Sequence, residues 1–359
     1  MLLLTPGPVE MEAAICEIGG LRKLPYFRGP EFTRAVIHLT QDLKYLFQTE
    51  GTPLIVTASG TGLMEMAIVN LLNRGDRAVV LNGGTFGGRW VGMCRAFGVD
   101  VVDFPVELGR SPDIQKLQDC LDSRPKALLV NAHETSTGYL YDIQLLGRMT
   151  ESRGILLIVD AVSTIGADDF KMDDWHVDCA LVSSQKALAL MPGLGFIAFG
   201  ARAMEVIPRV TQPRAYFDAL NYLVNISRGM TPFTPAVVGV LQAQARMGEI
   251  RGMGIDEWIL RCEQRARTFR QAMLSAGYTP FPERCSNAMT AVRLPEGVVT
   301  SNLVTHLRER YNWWLATNGT NREDYLRVSH MGNLPTDVMC AVADGIAQGI
   351  RCLREGGRQ

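Results

Sequence analysis

Between about residues 53 and 200 the chain repeats one unit, a short apolar run followed by a helix-length stretch. The runs are Pro53–Val56, Ala78–Leu81, Ala127–Val130, Ile155–Val159, Ala180–Val182 and Phe196–Phe199. None alternates apolar with polar residues, so each suits a strand buried on both faces. Helix-length connections between such strands imply right-handed crossovers and a mostly parallel sheet flanked by helices. In an open α/β sheet of this kind, ligands collect at the carboxyl ends of the strands.

The polar residues are placed accordingly. Five consecutive runs end in small, polar or reactive groups: Ala58–Gly62 (ASGTG), Asn82–Gly88 (NGGTFGG), Asn131–Gly138 (NAHETSTG), Asp160, and Ser183–Lys186 (SSQK). Beyond about 245 the pattern changes. An arginine-rich amphipathic stretch over 256–276 reads as a helix, Ala288–Leu294 as a strand, Asn302–Tyr311 as a helix, Leu326–His330 as a strand and Thr336–Leu353 as a closing helix. The expectation is a large domain over 16–245, a small α/β C-terminal domain over 246–359, and an N-terminal segment, 1–15, lying over the active site.

Composition removes several classes of function. A net charge of -1 gives no electrostatic case for nucleic acid or an anionic membrane. No uninterrupted apolar run approaches the ~20 residues of a membrane span. Leu2–Leu4 is too short for a secretory signal core, and Pro6 and Pro8 stop a helix there. The eight cysteines form no C-x-x-C pair, which reads as free thiols in a reducing, cytoplasmic setting.

Lys186 and Asp160 then stand out. The lysine sits between a buried strand and the turn Met191–Gly195. Asp160 ends five consecutive aliphatic residues, where a carboxylate needs a cationic partner to stay charged. Their separation of 26 residues (186 − 160) fits one strand-crossover-strand unit and puts them at adjacent strand ends. An amine beside a carboxylate suits pyridoxal phosphate: the amine forms the covalent link and moves the α-proton, and the carboxylate keeps the pyridine nitrogen protonated. The alternatives for Asp160 are a helix N-cap or a metal ligand, although no His/Asp cluster accompanies it.

Other residues answer the cofactor's remaining needs. Ser59, Gly60 and Thr61 precede an apolar helical segment whose N-terminus would receive a phosphate, or they form a simple tight turn. Phe86, among four glycines, offers a flat face for stacking or a core contact. His133–Gly138 gathers donors for the cofactor or makes a local turn; a metal at His133 and Glu134 lacks further ligands. Arg327, inside an apolar strand, matches a substrate carboxylate or an internal ion pair.

The ordered motifs Leu4–Pro8 (LTPGP), Glu134–Gly138 (ETSTG), Val159–Ser163 (VDAVS), Ser184–Leu188 (SQKAL) and Leu326–Gly332 (LRVSHMG) resemble those of class V aminotransferases of pyridoxal-phosphate fold type I, over nearly the whole chain. Within the class, the chain is similar to the alanine/serine–glyoxylate (or pyruvate) branch and to 2-aminoethylphosphonate–pyruvate transaminases. The Ser-Gln-Lys form favours the first. The resemblance implies ping-pong transfer of an amino group from an alanine- or serine-type donor to pyruvate or glyoxylate. The alternatives are the phosphonate transaminase, or a lyase or epimerase of the same fold.

The resemblance also implies roles. Lys186 matches the Schiff-base lysine, Asp160 the pyridinium partner and Val162 a ring contact, while Phe86 occupies the stacking position. Ser59, Gly60 and Thr61 match the phosphate loop, Thr135 a cofactor-contacting hydroxyl and Gln185 a phosphate contact. Thr231 resembles a threonine that reaches the phosphate from the neighbouring subunit, which implies a homodimer with shared sites. Arg327 matches the arginine for the substrate carboxylate, and Gly7 the N-terminal turn that closes over the substrate. No metal is implied. Arg228 departs from the pattern, standing where relatives often have tyrosine, and Tyr26–Arg28 and Trp313–Trp314 receive no role.

Overall fold

The computed structural model describes residues 1–317 and 324–356. Seven strands form the central sheet: β1 (Leu54–Val56), β2 (Arg77–Asn82), β3 (Asp100–Pro105), β4 (Ala127–Asn131), β5 (Leu156–Asp160), β6 (Cys179–Ser183) and β7 (Gly195–Phe199). Their order is β1-β7-β6-β5-β4-β2-β3. All pairings among β6, β5, β4, β2 and β3 are parallel, and β7 runs antiparallel to both its neighbours. β1 therefore points the same way as β6, and the carboxyl ends of β1, β2, β4, β5 and β6 share one rim.

Two features of the sheet lie outside the sequence reading. β7 begins at Gly195, shortly after β6 ends at Ser183. The intervening loop contains no helix, so it returns β7 antiparallel rather than carrying a crossover. β3 is the strand that the apolar-run criterion passes over. It sits at the sheet edge and is only partly covered, so its sequence, DVVDFP, mixes polar with apolar residues. The runs without alternation are the interior strands: every residue of β4, β5, β6 and β7 is buried.

Toward the C-terminus, β8 (Met289–Arg293) and β9 (Tyr325–Ser329) form an antiparallel pair. Helices Ile255–Ser275, Thr300–Tyr311 and Val338–Gly356 belong to the same region. Phe269, Leu303, Leu326, Val328, Val342 and Ile346 belong to an apolar cluster separate from the one around the central sheet. Leu4 is buried in that C-terminal cluster.

The N-terminal segment is fastened to the C-terminal part at several points. Leu2–Leu3 pairs in parallel with Trp313–Trp314, which gives the tryptophan pair a backbone role. The Ser329 N–H donates to Leu4 O (2.9 Å), and the Asn333 N–H to Glu10 O (2.9 Å). Gly332 has φ +91°, and a Cβ there would lie 2.8 Å from Glu10 O, so a side chain would force the segment away. No described helix is long and apolar enough to cross a membrane.

Candidate active site

Register brings the two principal groups together. Asn131 at the end of β4 lies opposite Asp160, and Asp160 lies opposite Leu181 of β6, two residues before that strand ends. Asp160 is 8% exposed, and burial pushes its carboxyl from an ordinary 3.8 to about 6, against the pull of the Val162 N–H and the Lys186 amine. Its Oδ1 accepts the Val162 N–H (2.9 Å); among the described residues no group donates to Oδ2. Burial lowers the Lys186 amine from 10.5 to about 8, with Asp160 opposing and Arg327 and Arg89 assisting. The amine is thus far closer to neutral at physiological pH than a solvated lysine.

The N-terminal segment forms a roof over this lysine. Lys186 Nζ donates to Pro6 O at 2.5 Å. Gly7 has φ +126°, and a Cβ there would lie 2.6 Å from Lys186 Cδ. Both the conformation and the space call for glycine.

At the end of β1, Ser59 caps helix Gly60–Leu71, and its Oγ accepts the Gly62 N–H at 3.3 Å. Among the described residues the Gly60 and Thr61 N–H groups have no acceptor, which is the electropositive arrangement an anion seeks. Arg89 Nη1 donates to Thr61 Oγ1 (2.8 Å), and its guanidinium carbon lies 4.7 Å from the centre of the Phe86 ring. Phe86 and Arg89 share helix Thr85–Ala96, one turn apart.

Glu134, 1% exposed, organises this corner. Its carboxylate accepts the N–H groups of Phe86 (3.2 Å), Gly87 (2.9 Å) and Ser136 (3.2 Å), the Ser136 hydroxyl (2.5 Å) and Asn131 Nδ2 (3.3 Å). It therefore caps the N-terminus of helix Thr85–Ala96 and fixes where Phe86 begins. The adjoining glycines permit the approach: a Cβ on Gly84 would lie 2.2 Å from Ser136 Oγ, and one on Gly87 2.7 Å from Asn82 Cα. The backbone donors thus occupy the carboxylate that the sequence offered as a metal ligand.

This chain matches the family model for aminotransferase class V over residues 25–310. It belongs to the class V aminotransferase family. It is 32% identical over 354 residues to the soluble hydrogenase 42 kDa subunit of Anabaena cylindrica, covering 96% of this chain and 91% of that one. It is also 32% identical to the serine–glyoxylate aminotransferase of Arabidopsis thaliana, with 92% and 86% covered. The crystal structure of a subgroup IV aspartate aminotransferase from Thermus thermophilus superposes with a TM-score of 0.91 at 28% identity, covering 98% of this chain and all of that one. The α/β fold with its mostly parallel sheet is the one expected from the sequence.

Several buried polar atoms of this class V aminotransferase lack partners among the described residues, and four lie on or beside the strand ends: Asn131 Oδ1, His133 Nε2, Ser183 Oγ and Arg327 Nε. His133 Nδ1 bonds Ser163 Oγ at 3.0 Å, and burial lowers the imidazole to about 3, so the ring is neutral. Arg327, 8% exposed, donates through Nη1 to Thr135 O (2.8 Å) and through Nη2 to Thr317 O. It makes no ion pair with a carboxylate among the described residues, unlike the internal pair held open as its alternative.

The remaining sequence-derived residues divide. Thr135 is buried beside Arg327, and Val162 and Gln185 are half-buried next to Asp160 and Lys186. Thr231 makes no hydrogen bond to the strand-end cluster; its hydroxyl donates to Phe233 O (2.8 Å), and Arg28 Nη1 donates to its carbonyl (3.0 Å). Arg28 thus braces the Thr231–Pro232 turn, while Arg228 and Tyr26 are exposed. Glu134 and Arg89 had no such tasks in the sequence reading. The i, i+3 spacing of Phe86 and Arg89 was the available signal for the second.

Proposed function

We propose that this aminotransferase holds pyridoxal 5'-phosphate at the strand ends. The reaction proposed moves an amino group from a small amino acid of the alanine or serine type to a small 2-oxo acid such as pyruvate or glyoxylate. The observation that carries the reading is the buried Lys186–Asp160 pair at the ends of adjacent strands, each shifting the other's proton affinity. The relatives' names diverge, one being a hydrogenase subunit, so the residues decide.

The residues present fit the cofactor. Asp160 Oδ2 is available to a protonated ring nitrogen. The free N–H groups of Gly60 and Thr61, with the Ser59 hydroxyl and Gln185, suit a phosphate. Phe86 and Val162 offer apolar contacts for the two faces of a flat ring, and Thr135 a further polar contact. When bound, pyridoxal phosphate supplies the electron sink that makes a substrate's α-proton removable and carries the amino group between half-reactions.

The chain's own residues supply the rest. Lys186, with its amine lowered to about 8, can exist as a neutral base near physiological pH and take, hold and return the α-proton. Asp160 stays anionic above about pH 6 and keeps a proton on the ring nitrogen. Arg327, with Nε unpaired, receives the substrate carboxylate that both amino acid and 2-oxo acid carry. The Pro6–Gly7 roof limits water at the lysine. Thr231 fits a phosphate contact given by a second copy, so a homodimer with shared sites belongs to the proposal. The eight unpaired thiols support a cytoplasmic setting.

A half-reaction experiment tests this. Protein loaded with the cofactor and mixed with alanine or serine, without acceptor, should form pyridoxamine phosphate and one equivalent of 2-oxo acid. Added glyoxylate or pyruvate should restore the starting form. Release of ammonia with no pyridoxamine phosphate would indicate a lyase, and turnover confined to 2-aminoethylphosphonate would replace the donor class.

A further inference from the structure

Arg246 is 1% exposed, although the chemistry described so far makes no use of a cation there. It lies on helix Val237–Met253, whose Val240, Met247 and Ile250 are buried in the apolar cluster around the central sheet. Its guanidinium carbon sits 4.9 Å from the centre of the Trp258 ring. Nη1 pairs with Glu249 on the same helix, and Nη2 pairs with Glu12. A buried ion pair is weak evidence for stability, and its best-attested use is to fix registry.

What the Glu12 pair can fix is the N-terminal segment. The C-terminal part of the chain holds that segment on both sides of the Pro6–Gly7 roof, through Ser329 to Leu4 and through Asn333 to Glu10. Glu12 adds a hold from the helix that packs on the central sheet, and Gln242 of the same helix donates to Ile15 O just beyond it (2.9 Å). The roof is thus suspended between two apolar clusters, with Lys186 beneath it. Glu12 also borders a cavity of about 50 Å3 that Ala187 and Ala189 line from the Lys186 loop. Side-chain packing leaves room there, so the ion pair sets where the carboxylate sits.

We propose that Arg246 is a positioning residue, which acts through Glu12 to hold the Pro6–Gly7 roof closed on Lys186 and to keep water from its amine. The assignment rests on reading Lys186 as the base of the reaction. The charges that act on that amine are Asp160, Arg327 and Arg89, with the neutral His133 ring nearby; neither Glu12 nor Arg246 is among them. An effect of the pair on the amine therefore has to pass through the roof.

Two substitutions separate positioning from structure. Glu12→Ala cuts the link to the segment and leaves Arg246 its Glu249 partner. Glu249→Ala removes the partner that does not touch the segment. The apo chains should be labelled with an amine-reactive reagent across a pH series, and the Lys186 peptide followed by mass spectrometry together with each thermal midpoint. The wild-type labelling midpoint is expected at about 8. Glu12→Ala should raise it by about one pH unit, because hydration favours the charged form, which leaves roughly tenfold less neutral amine at pH 7. Its labelling plateau should rise as well. Glu249→Ala should stay within about 0.3 of a unit, whatever it does to the thermal midpoint. The other five lysines, read in the same samples, should keep their midpoints in both variants.

An unmoved Lys186 midpoint in Glu12→Ala, or equal shifts in the two variants, would overturn the assignment and leave Arg246 a structural residue. A shift shared by all six lysines would also overturn it, since that reports general loosening. A wild-type Lys186 that titrates near 10.5 would instead refute its reading as the base.

Discussion

Replacing Glu134 by alanine should loosen the active-site corner without touching any group assigned to the chemistry. The carboxylate is buried and accepts five donors, of which the Phe86 and Gly87 N–H groups cannot turn elsewhere because they begin helix Thr85–Ala96. Each buried backbone donor left unsatisfied costs about 1–3 kcal/mol, so these two alone give about 2–6 kcal/mol. That is a large share of a typical net stability of about 5–15 kcal/mol. Guanidinium unfolding of the apo chain should show a lower midpoint with an unchanged slope. Glu134→Gln keeps one acceptor oxygen but turns an NH2 toward the other donors, so its loss should be intermediate. Cofactor affinity should fall with both variants, because Phe86 is no longer fixed. A loss below about 1 kcal/mol for Glu134→Ala would refute the capping argument.

Arg327→Lys retains the charge but loses the fork. It should lower kcat/KM for amino acids by about 10- to 100-fold, mostly through KM, and spare amines that lack a carboxylate; an equal loss for both would remove Arg327 from substrate binding. Asp160→Asn should stabilise the apo chain at pH 7 while weakening the cofactor. The folded carboxyl titrates at about 6 against an ordinary 3.8, so its stability contribution is lost as pH rises through that window. The shift corresponds to up to about 3 kcal/mol. Below about pH 4 the two apo proteins should converge, and a variant that is less stable than wild type at pH 7 would contradict this balance.

The residues that the sequence made legible are those under the strongest constraint. Interior strands must be apolar on both faces, so β4, β5, β6 and β7 announce themselves. The half-covered edge strand β3 is free to be polar and gave no such run. The antiparallel turn of β7 was encoded in loop length rather than in the apolar run. At the site, Lys186 and Asp160 were visible because charged groups ending apolar strands need a reason. Glu134 and Arg89 act through partners remote in sequence, such as Phe86 and Thr61, and only folding brings those together. The pairing of Trp313–Trp314 with Leu2–Leu3 spans almost the whole chain and carries no local signature.

The chain contains six lysines, at positions 23, 44, 116, 126, 171 and 186, and the account assigns covalent attachment to one. Reducing the cofactor-loaded protein with borohydride and mapping the modified peptide by mass spectrometry tests that claim directly. The account predicts a single phosphopyridoxyl adduct on Lys186, abolished together with amino-group transfer in Lys186→Ala. An adduct on another lysine, or transamination retained by the variant, would contradict it.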